Sequence, residues 1–229
     1  MYKILITGHT GAIGSHLWNR LKDKYELIGM SKGSGHDLMN ANLDKDVKYV
    51  IHLAGLNGIK QSWKNPLKYL DTNVYTSYRI FKSIRKAKIL YASSLAVKEW
   101  WRSPYALSKF IIEKIAPSNS VGMRFANVYG KGIKKLIYKI KNNEVEYVTN
   151  QTRDFIHIND LTNAIDLLIE NRSSRIVEIG SGKSVRLGDI VKDKKIKKGS
   201  FYEIKDSVAN ITELKNLGYL PKHDVLQEV

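Results

Sequence analysis

The 229-residue sequence contains no cysteine. This absence excludes disulfides, thiolate metal ligands and a cysteine nucleophile. The sequence also lacks an apolar run near the roughly 18 residues that cross a bilayer, and a glycine-rich turn, not a cleavage site, follows the short apolar stretch at residues 4–6. We therefore expect a cytoplasmic protein with no membrane segment, in which any catalysis uses other side chains and no metal.

Acidic residues are few beside basic ones: 22 Asp and Glu stand against 38 Lys and Arg, for a formal net charge of +16. Such an imbalance often accompanies nucleic-acid binding. Here the lysines are spread along the chain, with local concentrations only at 134–135 and 192–198, and no nucleic-acid motif accompanies them. We interpret them as solvated surface, predict no nucleic-acid partner and expect the surface to attract anionic small molecules.

Short apolar runs alternate with helical patterns over the first 130 residues. The predicted strands lie at 3–8, 26–30, 49–55, 88–94 and 121–128. The predicted helices pass through Ile13, Leu17 and Leu21 and cover 71–86 and 105–116. This alternation predicts an α/β fold with a parallel, doubly wound sheet.

The alternation becomes irregular after residue 130. Helical segments are predicted at 136–140, 160–169 and near the end, with a strand at 175–179 and a lysine-rich, mobile loop at 192–199. We therefore predict a core domain over residues 1–130. Residues 131–229 would form a small, reduced lobe that is interleaved with the last core elements.

A glycine-rich turn follows the first predicted strand and opens the first predicted helix. In this context one glycine makes the tight turn, one lets the backbone approach a pyrophosphate and one lets the helix pack on the sheet. The helix N-terminus then faces the phosphates. We predict that a dinucleotide is bound by the residues of this turn, which are Gly8, His9, Thr10, Gly11, Ala12, Ile13 and Gly14.

Tyr105 and Lys109 are four residues apart in a predicted helix, so their side chains lie on one face, one turn apart. A phenol has a pKa of about 10 in water, and a neighbouring ammonium favours its ionised form. The pair therefore predicts a proton carrier near neutral pH. The same spacing also fits a half-buried tyrosine beside a solvated lysine.

These motifs resemble the extended short-chain dehydrogenase/reductases, a family of NAD(P)-dependent epimerases, dehydratases and reductases of nucleotide-linked sugars. The glycine spacing at Gly8, Gly11 and Gly14 is similar to theirs, and further similar segments follow in the family's order to the end of the chain. These segments are His52-Leu53-Ala54-Gly55, Asn73, Ala92-Ser93-Ser94, Tyr105 with Lys109, residues 124–130, residues 153–160, residues 179–182 and Leu217-Gly218-Tyr219-Leu220-Pro221. The resemblance implies a Rossmann fold.

The resemblance also implies roles for the matching residues. Tyr105 would be the general acid/base, Lys109 would lower its pKa and hold the nicotinamide ribose, and Ser94 would orient the reacting carbinol or ketone. A hydroxyl beside a tuned phenol suits this task, because hydride transfer leaves an oxygen that needs a proton. Further cofactor contacts would come from Leu53, Ala54, Gly55 and Asn73.

Arg153 and Asn127 resemble the family's residues at the substrate diphosphate. A guanidinium fork suits that group. The alternatives are an interdomain salt bridge of Arg153 with Asp160 or another acid, and a strand-end hydroxyl of Ser94 that bonds only the backbone. His157 is interpreted as a structural histidine.

The residue that ends the second strand bears on the choice of cofactor, because an acid there binds the free ribose 2′-hydroxyl, whereas basic or hydroxyl residues accept a 2′-phosphate. Here Ser31-Lys32 occupies the position, which favours NADP over NAD, with His9 as a further phosphate contact. Asp37-Leu38 resembles the family's adenine-contacting pair. The short connection at residues 31–36 predicts a reduced second helix, as in the family's sugar reductases.

The sequence departs from the family by compression. Only ten residues separate Ser94 from Tyr105, and the segment between Gly130 and Arg153 is also short. Because motifs match at both ends, we interpret this as internal shortening. Trp100 and Trp101 lie in the shortened segment, where they would cover a ligand or pack in the core or a dimer.

These departures from the family also limit the reactions that we expect. Leu95-Ala96 follow Ser94 where the family's dehydratases carry an Asp-Glu pair, and no cysteine is present for a reductive 3,5-epimerase. We therefore expect an NAD(P)-dependent epimerase or keto-sugar reductase acting on a nucleotide-diphosphate sugar. A catalytically silent NADP-binding protein is the alternative. By analogy with the family, the helices at 71–86 and 105–116 would form a homodimer through a four-helix bundle.

Overall fold

The computed structural model describes residues 1–43, 46–191 and 194–229. The strands are β1 Lys3–Thr7, β2 Glu26–Met30, β3 Tyr49–His52, β4 Lys88–Ser94, β5 Ser120–Phe125, β6 Asn127–Tyr129, β7 Tyr147–Thr149, β8 Thr152–Arg153, β9 Phe155–His157, β10 Ile176–Ile179, β11 Val185–Arg186 and β12 Lys195–Lys197. The α-helices are α1 Ala12–Leu21, α2 Ile59–Lys64, α3 Pro66–Tyr69, α4 Thr76–Ser83, α5 Pro104–Ile115, α6 Leu136–Lys141, α7 Ile158–Glu170, α8 Leu187–Ile190 and α9 Thr212–Asn216. Tighter 3-10 turns occupy Lys32–Ser34, Leu95–Arg102 and Val225–Gln227.

Six strands form one parallel sheet in the order β2-β1-β3-β4-β5-β10. The strand order reverses between β1 and β3, and in sheets of this kind ligands bind outside the carboxyl ends of the strands at such a reversal. The fold is therefore the predicted α/β, Rossmann-like, doubly wound sheet. Its last strand, β10, comes from well beyond residue 130, where the division into core and lobe remains a prediction.

The central strands are buried on both faces, which requires continuous apolar runs. Alternate residues of β1 point to opposite faces. Ile4 and Ile6 pack in a core that includes α1 and α7, and Leu5 packs in a second core with α4 and α5. The apolar run of β1 thus joins both layers of helices to the sheet.

The helix expected over residues 71–86 is divided. It begins with α3 at Pro66, whose missing N–H is tolerated in a first helical turn, passes through a wider π-helical segment at Leu70–Tyr75 and ends with α4. Between β2 and β3 the described residues form a single 3-10 turn at Lys32–Ser34 and no α-helix. This agrees with the reduced second helix that we predicted.

The region after β5 is built from pairs of short strands, β6 with β9, β7 with β12 and β8 with β11. They enclose a third, small core that contains Ile137, Val148 and Phe155. The prediction of a loop at 192–199 is wrong for Lys195–Lys197, which pair with β7, and the Lys197 ammonium lies 4.0 Å from the centre of the Tyr147 ring. Lys192 and Asp193 lie outside the described residues. No helix among the described residues is long and apolar enough to cross a membrane.

Candidate active site

The glycine-rich turn is held tightly against the end of β3. Gly8 has a left-handed φ of 73°, and a β-carbon on it would lie 2.8 Å from the Ala54 nitrogen. A β-carbon on Gly14 would lie 2.2 Å from the Gly8 carbonyl oxygen, so only glycine lets α1 approach the turn. No side chain caps the N-terminus of α1. Its first N–H groups are therefore available to an anion such as a pyrophosphate, and the turn fits a dinucleotide.

The residues predicted to contact the adenosine end cluster at the end of β2. The Thr10 and Ser31 hydroxyls are 2.8 Å apart, and the exposed Lys32 ammonium lies 3.0 Å from the Asp37 carboxylate. The pKa of Asp37 is lowered, mainly by a hydrogen bond from the Met39 N–H and also by Lys32. The His9 ring packs on Trp18, and its buried Nδ1 has no hydrogen-bond partner among the described residues.

Two of the predicted cofactor contacts also have structural roles. Leu38 is buried in the core on the α4 and α5 side of the sheet. Asn73 accepts a 2.7 Å hydrogen bond from the Leu56 N–H and donates to the Leu56 carbonyl and to Ser108. Its amide therefore holds the loop that follows β3, beside Gly55.

Ser94, Tyr105 and Lys109 converge although they come from different elements. Ser94 ends β4, Tyr105 lies in the first turn of α5, which begins after the Ser103 cap, and Lys109 lies one turn later. The Ser94 hydroxyl lies close enough to the Tyr105 phenol to lower its pKa. Ser94 also accepts a hydrogen bond from the Ala96 N–H, so its hydroxyl has a backbone partner and the phenol as a neighbour.

The electrostatics of this group differ from our expectation. Burial raises the pKa of Tyr105, against a smaller lowering by the hydrogen bond with Ser94. Lys109 is buried and donates to the Ala92 carbonyl at 2.9 Å. Burial lowers the pKa of Lys109 to about 8, and the Glu113 carboxylate partly opposes that shift. The expected lowering of the phenol pKa by Lys109 is therefore not present in this structure, because desolvation dominates both groups.

A cleft of about 620 Å³ opens at the carboxyl ends of the strands. Eight of the predicted site residues line it: Ile13, Leu53, Gly55, Ser94, Tyr105, Lys109, Asn127 and Arg153. The other predicted cofactor residues lie outside its lining, in the glycine turn, after β2 and behind the loop that follows β3. The cleft therefore joins Ser94, Tyr105 and Lys109 to Asn127 and Arg153.

The end of the cleft at Arg153 is basic. Lys134, Lys135 and Lys139 line it with Arg153, and no acidic side chain of the described ranges does so. Lys134 and Lys135 are exposed, in agreement with our interpretation of them as solvated surface, and they also line the cleft. Lys135 and Lys139 are four residues apart, a spacing that places two side chains on the same face of a helix. Our sequence analysis did not use this signal.

Arg153 is held by neutral acceptors. It donates to the carbonyls of Thr152 and Lys205 and to the Gln151 side chain, at 2.8, 3.2 and 2.5 Å. The salt bridge with Asp160 that we considered is not formed, since Asp160 pairs with His223. Asn127 donates to the Asp154 carbonyl at 3.2 Å.

Trp100 and Trp101 do not line the cleft. Trp100 stacks on Phe110 of α5 with ring centres 4.9 Å apart, and Trp101 is 61% exposed. These positions do not fit the expected role of covering a ligand. They fit the alternative, which is packing, and Trp100 packs along α5.

Comparison with known proteins identifies what this arrangement resembles. A model of the "NAD dependent epimerase/dehydratase family" matches residues 4–180. A protein of Methanocaldococcus jannaschii named "Putative UDP-glucose 4-epimerase" is 30% identical, with 99% of this chain and 95% of that protein covered. Their alignment extends over 295 residues, more than the 229 of this chain. Because both ends are covered, this chain lacks internal segments that the relative has.

Solved structures share the fold. MoeE5 in complex with UDP-glucuronic acid and NAD superimposes with a TM-score of 0.85 at 23% identity, with 98% of this chain and 95% of that chain covered. The UDP-N-acetylglucosamine 4-epimerase of Methanobrevibacter ruminantium, solved with UDP-N-acetylmuramic acid, gives a TM-score of 0.83 at 24% identity, with 99% and 95% covered. The six-stranded sheet and the short-stranded region after it therefore occur together in known proteins.

Proposed function

Because the chain belongs to the NAD dependent epimerase/dehydratase family, we propose that it is an NAD(P)-dependent enzyme that epimerises a carbinol centre of a nucleotide-linked sugar. The observation that carries the proposal is that Ser94, Tyr105 and Lys109 line the same cleft as Arg153. One bound ligand could therefore exchange a proton with the first group while Arg153 binds its anionic part. The name of the archaeal relative supports an epimerase.

In this proposal each side chain of the catalytic group has a separate task. Burial raises the pKa of Tyr105, so its phenol form donates a proton to a sugar ketone oxygen, whereas its phenolate form receives the proton of a carbinol. Ser94, which lies beside Tyr105, orients that oxygen. Lys109 carries its charge below its pKa of about 8 and favours the phenolate when Tyr105 acts as a base. The bound nicotinamide supplies the hydride acceptor and donor.

The basic end of the cleft binds the substrate diphosphate in this proposal. Arg153 is preorganised by its three hydrogen bonds, and Asn127 lies in the adjoining strand β6. Lys134, Lys135 and Lys139 add positive charge without a lining carboxylate among the described residues. This balance suits a nucleoside diphosphate and disfavours a cationic ligand.

For the cofactor, we retain a preference for NADP over NAD. No carboxylate ends β2, because Ser31 stands there and bonds Thr10, and the nearby Asp37 is already paired with Lys32. A ribose 2′-phosphate would therefore meet hydroxyl groups and an exposed ammonium. The solved MoeE5 structure holds NAD, which is the competing choice.

A keto-sugar reductase is the second candidate. The 3-10 turn after β2 favours a reductase, because a reduced second helix is the feature in which this chain resembles the family's sugar reductases.

We also propose a homodimer through α4 and α5. Three apolar or aromatic side chains are exposed there: Tyr75 just before α4, Tyr78 in α4 and Ile115 at the end of α5. Sedimentation of the purified chain tests the dimer.

The deciding experiment offers UDP-, GDP-, CDP- and dTDP-sugars with NAD or NADP and follows nicotinamide absorbance and sugar products together. A new sugar without net absorbance change indicates an epimerase, and a stoichiometric absorbance change indicates a reductase. Tyr105→Phe should reduce turnover by at least 100-fold, the low end of general acid/base catalysis, while dinucleotide binding persists. Tyr138→Phe, an exposed phenol of α6, is the control. Dinucleotide binding with no turnover of any sugar would favour the silent protein.

A further inference from the structure

A cluster of two histidines and one glutamate lies outside the cleft. His157 ends β9, while His223 and Glu228 belong to the C-terminal segment. One ligand atom of each lies within 4.8 Å of the others. The two imidazole rings are stacked with centres 3.9 Å apart. Residues 66 positions apart thus bring their donor atoms close together.

Asp160 orients one of these histidines. Its buried carboxylate lies 3.0 Å from His223 Nδ1 and accepts the N–H groups of Lys222 and His223 at 3.1 and 3.0 Å. With Nδ1 bonded to a carboxylate, the lone pair of His223 Nε2 is free for another partner. This carboxylate–histidine arrangement is the one that commonly supports histidine ligands of metals.

A buried hydroxyl lies beside the cluster. Tyr129 is 2% exposed, its hydroxyl forms no hydrogen bond of good geometry within the described residues, and it lies beside the Glu228 carboxylate. Its ring packs edge-on against His157, with centres 5.2 Å apart. Buried polar groups are nearly always satisfied, so this hydroxyl requires a polar partner beside the cluster, which Glu228 or a further occupant such as a hydrated ion can supply.

We propose that His157, His223 and Glu228 bind a divalent transition metal of the zinc type. Two imidazoles and a carboxylate suit Zn²⁺, Co²⁺ or Ni²⁺, whereas Mg²⁺ and Ca²⁺ prefer oxygen ligands alone. Metal–ligand bonds of about 2.0–2.2 Å require the three groups to close inward. The half-buried Glu228 has the rotamer freedom for this movement.

Coordination has one identifiable cost. His157 Nδ1 accepts a long, 3.3 Å hydrogen bond from the Asn159 N–H. Binding through His157 Nε2 places the proton on Nδ1 and removes that weak bond. The ion would in return link the start of α7 to the segment that carries Val225, a member of the third core. The site is therefore structural, and it does not depend on the proposed enzymatic activity.

The test uses the full chain, without an affinity tag and stripped with a chelator. Calorimetric titration with Zn²⁺ should give one site per chain, with Mg²⁺ at the same concentrations giving none, and Co²⁺ should give visible d–d absorption. His223→Gln and Glu228→Gln should each weaken Zn²⁺ binding at least tenfold and reduce the rise in Tm that Zn²⁺ causes. The exposed His36→Gln is the matched control.

Two results would overturn the proposal. One is the absence of saturable Zn²⁺ binding to the folded chain. The other is Zn²⁺ binding that Glu228→Gln, His223→Gln and His36→Gln leave equally intact. If a histidine variant fails to fold, Glu228→Gln decides the matter, because Glu228 lies on the partly exposed C-terminal segment.

Discussion

The hydroxyl of Ser93 donates a 2.6 Å hydrogen bond to the carboxylate of Glu113 and so joins the end of β4 to α5. Arg124 of β5 holds the same carboxylate with two bonds of 2.9 and 2.7 Å. Glu113 lies one helical turn beyond Lys109 on the same face. Because Ser94 follows Ser93, this contact sets the distance between Ser94 and the tyrosine and lysine of α5.

Glu113→Gln should therefore disturb both stability and catalysis. It removes the charge that faces the Arg124 guanidinium, whose other carboxylate contact among the described residues is Glu178 at 3.6 Å, and weakening a partly buried charged pair costs about 1–3 kcal/mol. Urea unfolding measures the loss, and kcat should fall while the dinucleotide still binds. Glu26→Gln, which breaks the exposed pair with Lys3, should change stability by less than about 1 kcal/mol. Equal effects of the two changes would contradict this role for Glu113.

Gly14→Ala should abolish dinucleotide binding. Its new β-carbon would lie 2.2 Å from the Gly8 carbonyl oxygen, so α1 must move away from the turn. Gly35→Ala is the matched control, because no atom lies within 4 Å of a β-carbon there and only the left-handed backbone costs about 1–2 kcal/mol. Cofactor titration by fluorescence compares them. Unchanged affinity in Gly14→Ala would refute the close approach.

His52 should make the free energy of unfolding depend on pH in the acid range. It bonds Thr7 and Ser77 at 2.7 and 2.9 Å, and burial lowers its pKa to about 3 from 6.5. Below pH 6.5 the unfolded chain takes up a proton that the folded chain does not, so stability falls by about 1.4 kcal/mol per pH unit until pH 3. Denaturant unfolding at several pH values should show a shallower slope for His52→Gln. Identical slopes would disprove this linkage.

The lysines at the basic end of the cleft should act on substrate affinity. Each exposed charge contact contributes up to about 1 kcal/mol, so Lys135→Gln with Lys139→Gln should raise KM for a nucleotide-sugar by about tenfold with little change in kcat. The charge-matched control is Lys22→Gln with Lys215→Gln, both exposed and outside the cleft. Steady-state kinetics at low salt compares the pairs. A fall in kcat without a change in KM would contradict the assignment.

Local patterns predicted the elements that carry the proposed chemistry. β4 has the predicted bounds, and α5 was expected at 105–116 and covers Pro104–Ile115. Apolar residues, a proline in the first turn of the helix and a second proline just after its end supply strong local signals there. The helices α2 and α3 were not predicted, because four to six residues carry too little periodicity.

Long-range contacts account for what the sequence analysis missed. The strands of two or three residues after β5 exist only through partners far along the chain, as in β7 with β12. The lysines of the cleft also depend on long-range contacts. In the sequence they resemble ordinary surface residues, and only the folded chain brings them to the same cleft as Arg153. Local periodicity does not encode such pairings.

The sequence by itself determined the parallel α/β fold, the glycine turn and the spacing of Tyr105 with Lys109, because each depends on neighbours within one turn or one strand. The tertiary structure decided the direction in which the pKa of each group is shifted, since burial is the largest cause for both. It also brought His157 and His223 together. Burial and contact across 66 residues are properties of the packed chain, and no local pattern carries them.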